Sequence, residues 1–293
     1  GLGEGGDFDG LEQDRLAFLL EMISLDHPPR YLDVELAAFE TDAGFRAKLR
    51  HQLARQGEQR TSLILSSHDF NARPRDLIQR IEAMANEPLC AVMKIAWQAR
   101  SLRDNLEAFE LLRARSKPMI ALCMGQFGLM SRVLAGKFGG FLTFASDHAT
   151  EVTAPGQPTI DELKNLYRFD RITAQTKVFG VIGWPLEHSL SPRVHNDGFE
   201  KIGFDGVYLP LPIPAEYEHF KATVGELIDF QGLNFRGASV TIPHKENLVR
   251  FVKERGGRMD SLSEKIGAAN TLVVGSAGGL ECANTDAPAA IEA

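Results

Sequence analysis

Apolar positions along this chain alternate between two patterns. Short runs of β-type residues occur at Tyr31–Leu36, Ser62–Ser66, Leu89–Ile95, Met119–Cys123 and Phe141–Ala145. Stretches with apolar residues every three or four positions predict helices at Leu11–Ile23, Phe45–Arg55, Pro74–Asn86, Ser101–Arg113, Phe127–Ala135 and Thr159–Tyr167. Runs such as Leu63-Ile64-Leu65 and Ala91-Val92-Met93 have no polar face, as expected of parallel strands covered by helices. The five runs start about 22 to 31 residues apart, the size of one strand–helix unit. Five units and a leading helix predict an α/β fold built as a partial (β/α)₈ barrel, short of its first three strands.

A short polar connection, Asp170–Lys177, leads to a second pattern. Strands are expected at Val178–Ile182, Val207–Leu211 and Ala238–Ile242, with helices starting at Pro192 and spanning Glu216–Asp229 and His244–Glu254. Two short strands, Asn270–Val274 and Leu280–Ala283, flank Gly275–Gly279, whose glycines suit a hairpin turn. The chain thus divides into a unit over residues 1–170 and a small α/β domain over 177–293.

Composition narrows the function. With 293 residues, 44% hydrophobic and 24% charged, the chain is of ordinary globular type. A net charge of −7 provides no basic field for nucleic acid or for an anionic membrane surface. Cys90, Cys123 and Cys282 are scattered and fit no metal-ligand spacing, which points to reduced thiols in a cytosol-like compartment. No apolar run reaches the ~20 residues that span a bilayer, and the start carries no signal-peptide pattern. The Gly1-Leu2-Gly3-Glu4-Gly5-Gly6 stretch has a dinucleotide-like spacing, but no strand precedes it to form the required turn.

Lys94 interrupts the apolar run Leu89–Ala96. A lysine inside a low-dielectric sheet is costly as a cation, and its neutral amine can attack a carbonyl to form a Schiff base. A strand lysine that reaches solvent or pairs with a carboxylate is the other reading. His68 ends the preceding strand, so in a barrel both side chains reach the catalytic face. There a histidine can move a proton beside an iminium, or simply cap the next helix. Arg132 follows a glycine-bearing loop and either clamps a carboxylate or lies solvated on its helix.

In the second unit, Ser191-Pro192 is a good helix start, which leaves Ser189 without a structural task. Val240-Thr241-Ile242-Pro243-His244-Lys245 repeats this strand-to-helix layout. Asn270-Thr271 and Asn284-Thr285-Asp286 bracket the terminal strands. Two hydroxyls, an amide, a lysine and an aspartate suit a small polyol acid, with Lys245 and Asp286 as a proton-transfer pair.

Taken together, the first 170 or so residues resemble type I 3-dehydroquinate dehydratase, a Schiff-base (β/α)₈ enzyme. The matching segments are Glu4-Gly5-Gly6, Asp33-Val34-Glu35, Ser67-His68-Asp69-Phe70, Met93-Lys94-Ile95-Ala96, Met124-Gly125, Ser131-Arg132 and Ala154-Pro155-Gly156-Gln157. The resemblance implies that Lys94 forms the Schiff base and His68 is the general acid and base. It puts Glu4, Met124, Arg132, Thr153 and Gln157 in contact with substrate, and implies no cofactor for this half.

Residues from about 177 to 286 resemble the substrate-binding domain of shikimate dehydrogenase. Gly180–Pro185, His188–Pro192, His195-Asn196, Val240–Lys245, Gly267–Thr271 and Asn284–Asp286 follow in that family's order. The resemblance implies that Ser189, Ser191, Thr241 and Asn270 bind shikimate or 3-dehydroshikimate, and that Lys245 and Asp286 are the catalytic pair with NADP as cofactor.

It also implies barrel strands ahead of Glu4 and an NADP-binding Rossmann domain after Asp286, so the chain is expected to be a fragment with little of either activity by itself. The expected partners are the small-molecule substrates, not nucleic acid or membrane, and oligomerisation stays open. A catalytically inactive metabolite sensor built from the same domains is the rival from another class. A class I aldolase barrel accounts for Lys94 but not for the second unit.

Overall fold

In the computed structural model the described residues are 8, 10–56, 61–147, 156–276 and 278–292. Four parallel strands, β1 (Tyr31–Glu35), β2 (Ser62–Asp69), β3 (Cys90–Gln98) and β4 (Met119–Met124), form a sheet in sequential order. Helices α1 (Glu12–Met22), α2 (Leu36–Thr41), α3 (Ala43–Arg55), α4 (Leu77–Asn86), α5 (Arg103–Ala114) and α6 (Leu129–Val133) accompany it. Asp42 caps α3 by accepting a 2.8 Å bond from the Phe45 amide, which satisfies one orphan donor of the first turn.

The two faces of this sheet differ, as alternation along each strand requires. One face sends Leu32, Val34, Leu65, Met93, Ile95, Trp97, Ala121 and Cys123 into the main core. The other carries a small separate cluster of Ile64, Val92, Ile120 and Leu122, with Leu142 and Phe144 against it. That second face is the inner one in the barrel expected from the sequence.

The expected strand at Phe141–Ala145 is not formed. Gly139, at φ 75°, and Gly140 turn the chain. Phe141 donates one 2.9 Å bond to the Met119 carbonyl, and Leu142 and Phe144 then pack on the inner-face cluster without building a ladder. The helix expected at Thr159–Tyr167 is a single π-type turn, Glu162–Leu166. Its start is held reciprocally: Thr159 N–H donates to Glu162 Oε2, and Glu162 N–H to Thr159 Oγ1.

The second sheet has six strands: β5 (Lys177–Gly183), β6 (Gly206–Pro212), β7 (Phe235–Val240), β8 (Arg258–Met259), β9 (Thr271–Val274) and β10 (Leu280–Ala283). Their order is β6-β5-β7-β9-β10-β8. β5 runs parallel to β6 and β7, whereas β9 is antiparallel to both β7 and β10. Helices α7 (Ser191–Lys201), α8 (Tyr217–Asp229), α9 (Lys245–Glu254), α10 (Ser261–Ile266) and α11 (Asp286–Glu292) complete this part. The hairpin at Gly275–Gly279 closes through the Gly275 amide on the Gly279 carbonyl.

The two sheets share one continuous hydrophobic core. At the seam Phe109 stacks on Phe138 at 4.0 Å, and both meet the edge of Phe230. Lys137, buried, donates to the carbonyls of Ala174 and Thr176 at 2.7 and 2.8 Å and so pins the connecting segment. Arg103 pairs with Glu226 across the same seam. No helix among the described residues is long and apolar enough to cross a membrane.

Candidate functional site

Register places the first group of polar side chains. In a parallel pair, partner residues share a face and every second residue along a strand returns to it. Ser66 pairs with Lys94 and Glu35 with Ser66, so Asp33, Glu35, Ser66, His68 and Lys94 all lie on the inner face. His68 stands two positions beyond the residue that pairs with Lys94, toward the C-terminal strand ends.

Lys94, with 12% of its side chain exposed, forms a 2.7 Å ion pair with Asp33 Oδ2. Its ammonium also lies 4.5 Å from the centroid of the Phe144 ring. The structure thus gives Lys94 a carboxylate partner. Asp33 had entered only as part of a motif. The signal was available in Tyr31-Leu32-Asp33-Val34-Glu35, where both acids sit at alternate positions on the side that also carries Lys94. Glu35 in turn receives Arg15 from α1 at 2.5 Å.

Met124, the last residue of β4, is buried, and beyond the strand Arg132 on α6 is 3% exposed. Asn105, fully buried on α5, donates to the carbonyls of Leu102 and Phe127 and accepts from the Ser131 amide. Ser131 Oγ accepts from the Cys123 amide and donates to the Gly128 carbonyl. This network fixes the turn of helix that carries Arg132. Arg132 Nε is buried and without a hydrogen-bond partner among the described residues. Burial pushes the guanidinium down to about 10.

Gln157 is also buried. Gly156 brings it there: at φ 72°, a Cβ on Gly156 would stand 2.2 Å from the Gly125 carbonyl oxygen, so its backbone lies directly against the loop after β4. Glu4 and Thr153 lie outside the described residues.

In the second sheet, Lys245 at the start of α9 contacts Asp286 Oδ2 at 2.5 Å. Asn270 is the hub beside them. Its amide nitrogen donates to Asp286 Oδ1 at 2.7 Å and to Thr285 Oγ1 at 2.8 Å, and its Oδ1 accepts from the Thr285 amide. Both pair members are partly exposed, which leaves them open to a ligand. Thr241 joins this end of the sheet through its amide on the Ile182 carbonyl. Ser189 Oγ accepts from the Ser191 amide at 3.4 Å, just ahead of α7, which Ser191 starts with Leu190 at its N-cap and no side-chain cap.

His244 was not singled out from the sequence. Fully buried, its Nδ1 contacts Asn247 Nδ2 at 3.0 Å and its Nε2 the Ile213 carbonyl at 2.8 Å. An amide NH₂ can only donate, so Nδ1 accepts and Nε2–H donates. Burial lowers its pKa. It is a strut that holds the Thr241–Lys245 turn to the end of β6.

Residues 2–174 match the type I 3-dehydroquinase family, and residues 181–272 match the shikimate dehydrogenase substrate-binding domain. Over 275 residues the chain is 35% identical to the bifunctional 3-dehydroquinate dehydratase/shikimate dehydrogenase of Arabidopsis thaliana, covering 92% of this chain and 42% of that protein. A 3-dehydroquinate dehydratase from Desulfotalea psychrophila is 36% identical over 172 residues, 56% of this chain and 71% of its own length. A shikimate dehydrogenase (NADP(+)) from Paramagnetospirillum magneticum is 43% identical over 116 residues, 40% of this chain and 39% of that enzyme. The chain therefore spans less than half of the bifunctional relative. It belongs to the type I 3-dehydroquinase family and continues into a shikimate dehydrogenase substrate-binding domain.

Proposed function

We propose that this chain serves two consecutive reactions of the shikimate pathway, dehydration of 3-dehydroquinate and reduction of the resulting 3-dehydroshikimate, with the division between the two units falling between residues 170 and 177. In the first, the Lys94 ammonium gives up a proton as its nitrogen adds to the substrate ketone, and the ketone oxygen leaves as water with that proton and a second one from the nitrogen, giving an iminium. His68 removes the adjacent C–H proton, and the electron pair moves into the iminium to give an enamine. The enamine expels the β-hydroxyl, which leaves as water with the proton from His68. Hydrolysis then frees Lys94 and 3-dehydroshikimate. Arg132 receives the substrate carboxylate through its fork, with Met124 and Gln157 lining the same end. Glu4 and Thr153 complete the set by resemblance.

In the second unit, Ser189, Ser191, Thr241 and Asn270 bind the hydroxyls and carboxylate of 3-dehydroshikimate or shikimate. Lys245 and Asp286 exchange the alcohol proton. The NADPH implied as hydride donor has no fitting seat among the described residues: Gly275 and Gly279 close a hairpin between β9 and β10, not a strand-to-helix turn that could meet a pyrophosphate. No hydride step is derived for this chain.

The observation that carries the reading is the register of β2 on β3, with His68 and Lys94 on one face. The test is borohydride reduction of the protein in the presence of 3-dehydroquinate. The expected result is a reduced adduct mapped to Lys94 and absent from Lys94→Ala. A wild-type protein that gains no adduct at Lys94 overturns the first reaction.

A further inference from the structure

The loop that carries Ser189 and the turn that carries Thr241 meet at Trp184. Its amide donates to the Ile242 carbonyl at 3.0 Å. One residue earlier, a Cβ on Gly183 would stand 2.4 Å from Thr241 Cγ2, so glycine lets the two segments touch. Trp184 is thus the root of both segments. Its ring is not braced by the second sheet alone. Phe127, from the loop between β4 and α6, stacks on it with centroids 5.6 Å apart and planes 11° from parallel.

Phe127 is itself rigidly placed. Its carbonyl accepts from the fully buried Asn105 amide, and its side chain is 7% exposed. The seam beside the stack is open. A cavity of about 650 Å³ separates Gln126, Glu162 and Tyr167 from Trp184, Ser189 and Arg193. Farther along the loop, Leu190 is 74% exposed. The Ser189 loop is therefore little packed at its tip and fixed mainly at its root, where the ring of Phe127 supports Trp184.

We infer that Phe127 is a positioning residue for the second unit's binding site, contributed from the first unit and acting through Trp184 on Ser189 and Thr241. The inference rests on the reading of that site as the shikimate-binding one. An offset aromatic stack contributes enough to change a ligand's affinity by roughly two- to ten-fold when the loop it braces must be ordered for binding. It follows that the two units are coupled at this seam even when a ligand occupies the second alone.

The experiment uses the whole chain with Phe127→Leu, which keeps an apolar side chain in the seam but removes the stack, and Phe127→Tyr, which keeps it. Shikimate affinity is measured by calorimetry, and thermal melting reports folding. Acrylamide quenching of tryptophan fluorescence reports Trp184, because Trp97 is fully buried. The inference expects Phe127→Leu to bind shikimate two- to ten-fold more weakly, with more quenchable fluorescence, and Phe127→Tyr to restore both.

Wild-type affinity in Phe127→Leu overturns the inference, as does a loss of affinity that Phe127→Tyr fails to restore. If Phe127→Leu melts early, affinity is measured well below its melting temperature, where wild-type affinity overturns the proposal and a weakened affinity restored by Phe127→Tyr supports it. Wild-type protein that binds no shikimate at all overturns the underlying reading of the site, a result distinct from any of these.

Discussion

Lys94 Nζ and Asp33 Oδ2 stand 2.7 Å apart, although their strands are separated by β2. The pair spans the inner face over Ile64 and Ser66, with Phe144 beside the ammonium. Lys94 is mostly buried, so losing Asp33 strands a cation in a poorly solvated place. A double-mutant cycle with Asp33→Asn and Lys94→Met should show a coupling of about 1–2 kcal/mol in urea unfolding, below the range for fully buried pairs because Asp33 is partly exposed. Additive effects of the two changes would show that the pair contributes no coupling.

Arg132 presents the opposite case. It is a buried cation whose Nε lacks a partner among the described residues, and burial weakens its hold on the proton. Removing such a charge should not destabilise the fold. Arg132→Met is expected to melt at or above the wild-type temperature. The same variant should lose the thermal stabilisation that 3-dehydroquinate gives the wild type. A marked fall in melting temperature without ligand would show that the guanidinium is structural.

Asn105 has no such freedom. Its side-chain amide satisfies two carbonyls and one amide within the core. Asn105→Leu strands the Phe127 carbonyl and the Ser131 amide, takes one of two donors from the Leu102 carbonyl, and fills the site with methyl groups. The expected cost is about 3 kcal/mol in denaturant unfolding, the scale for stranding several buried polar groups. A loss below about 1 kcal/mol would mean that water replaces the amide.

How far the sequence reached depends on how local each feature is. The strands β1 to β7 follow from runs of apolar residues, and their ends moved by only a few residues. Phe141–Ala145 carried the same pattern yet forms no strand, because a β-run becomes a strand only when a neighbour accepts its ladder, and this one turns onto the inner-face cluster. β8 is two residues long, too short for any period to register. Lys94 and His68 stood out as polar residues at strand ends. Asp33, Phe144, Phe127 and Trp184 did not, since what makes them matter is a contact made by residues distant in the chain.

Lys137 gives the seam a pH dependence whose sign can be worked out. Desolvation pushes its ammonium down to about 8, against an ordinary value of 10.5. Below about 8 both folded and unfolded chains carry the proton. Between about 8 and 10.5 the unfolded chain binds more of it, so this group makes stability rise with pH across that interval. Other groups titrate there too, so the difference between wild type and Lys137→Met isolates the contribution. Urea midpoints from pH 7.5 to 10 should climb more steeply, or fall less, in the wild type. Parallel curves would show that Lys137 is not desolvated in the folded protein.

Lys245 and Asp286 are joined at 2.5 Å, a shorter contact than Lys94 and Asp33, but their side chains are 35% and 52% exposed. Solvent screens such a pair and supplies alternative partners to both groups. Its coupling in a Lys245→Met, Asp286→Asn cycle should be below about 1 kcal/mol in urea unfolding, less than at Lys94 despite the shorter distance. Shikimate binding should respond in the reverse proportion. Asp286→Asn alters the group that Asn270 holds in place and Lys245→Met removes that group's cationic partner, and affinity should fall about ten-fold or more in each variant while melting temperature changes little. Asn270→Ala tests the same arrangement from its hub, because it releases Asp286 and Thr285 together. A variant at Lys245 or Asp286 that unfolds readily but keeps its affinity for shikimate would reverse the assignment, making the pair part of the scaffold.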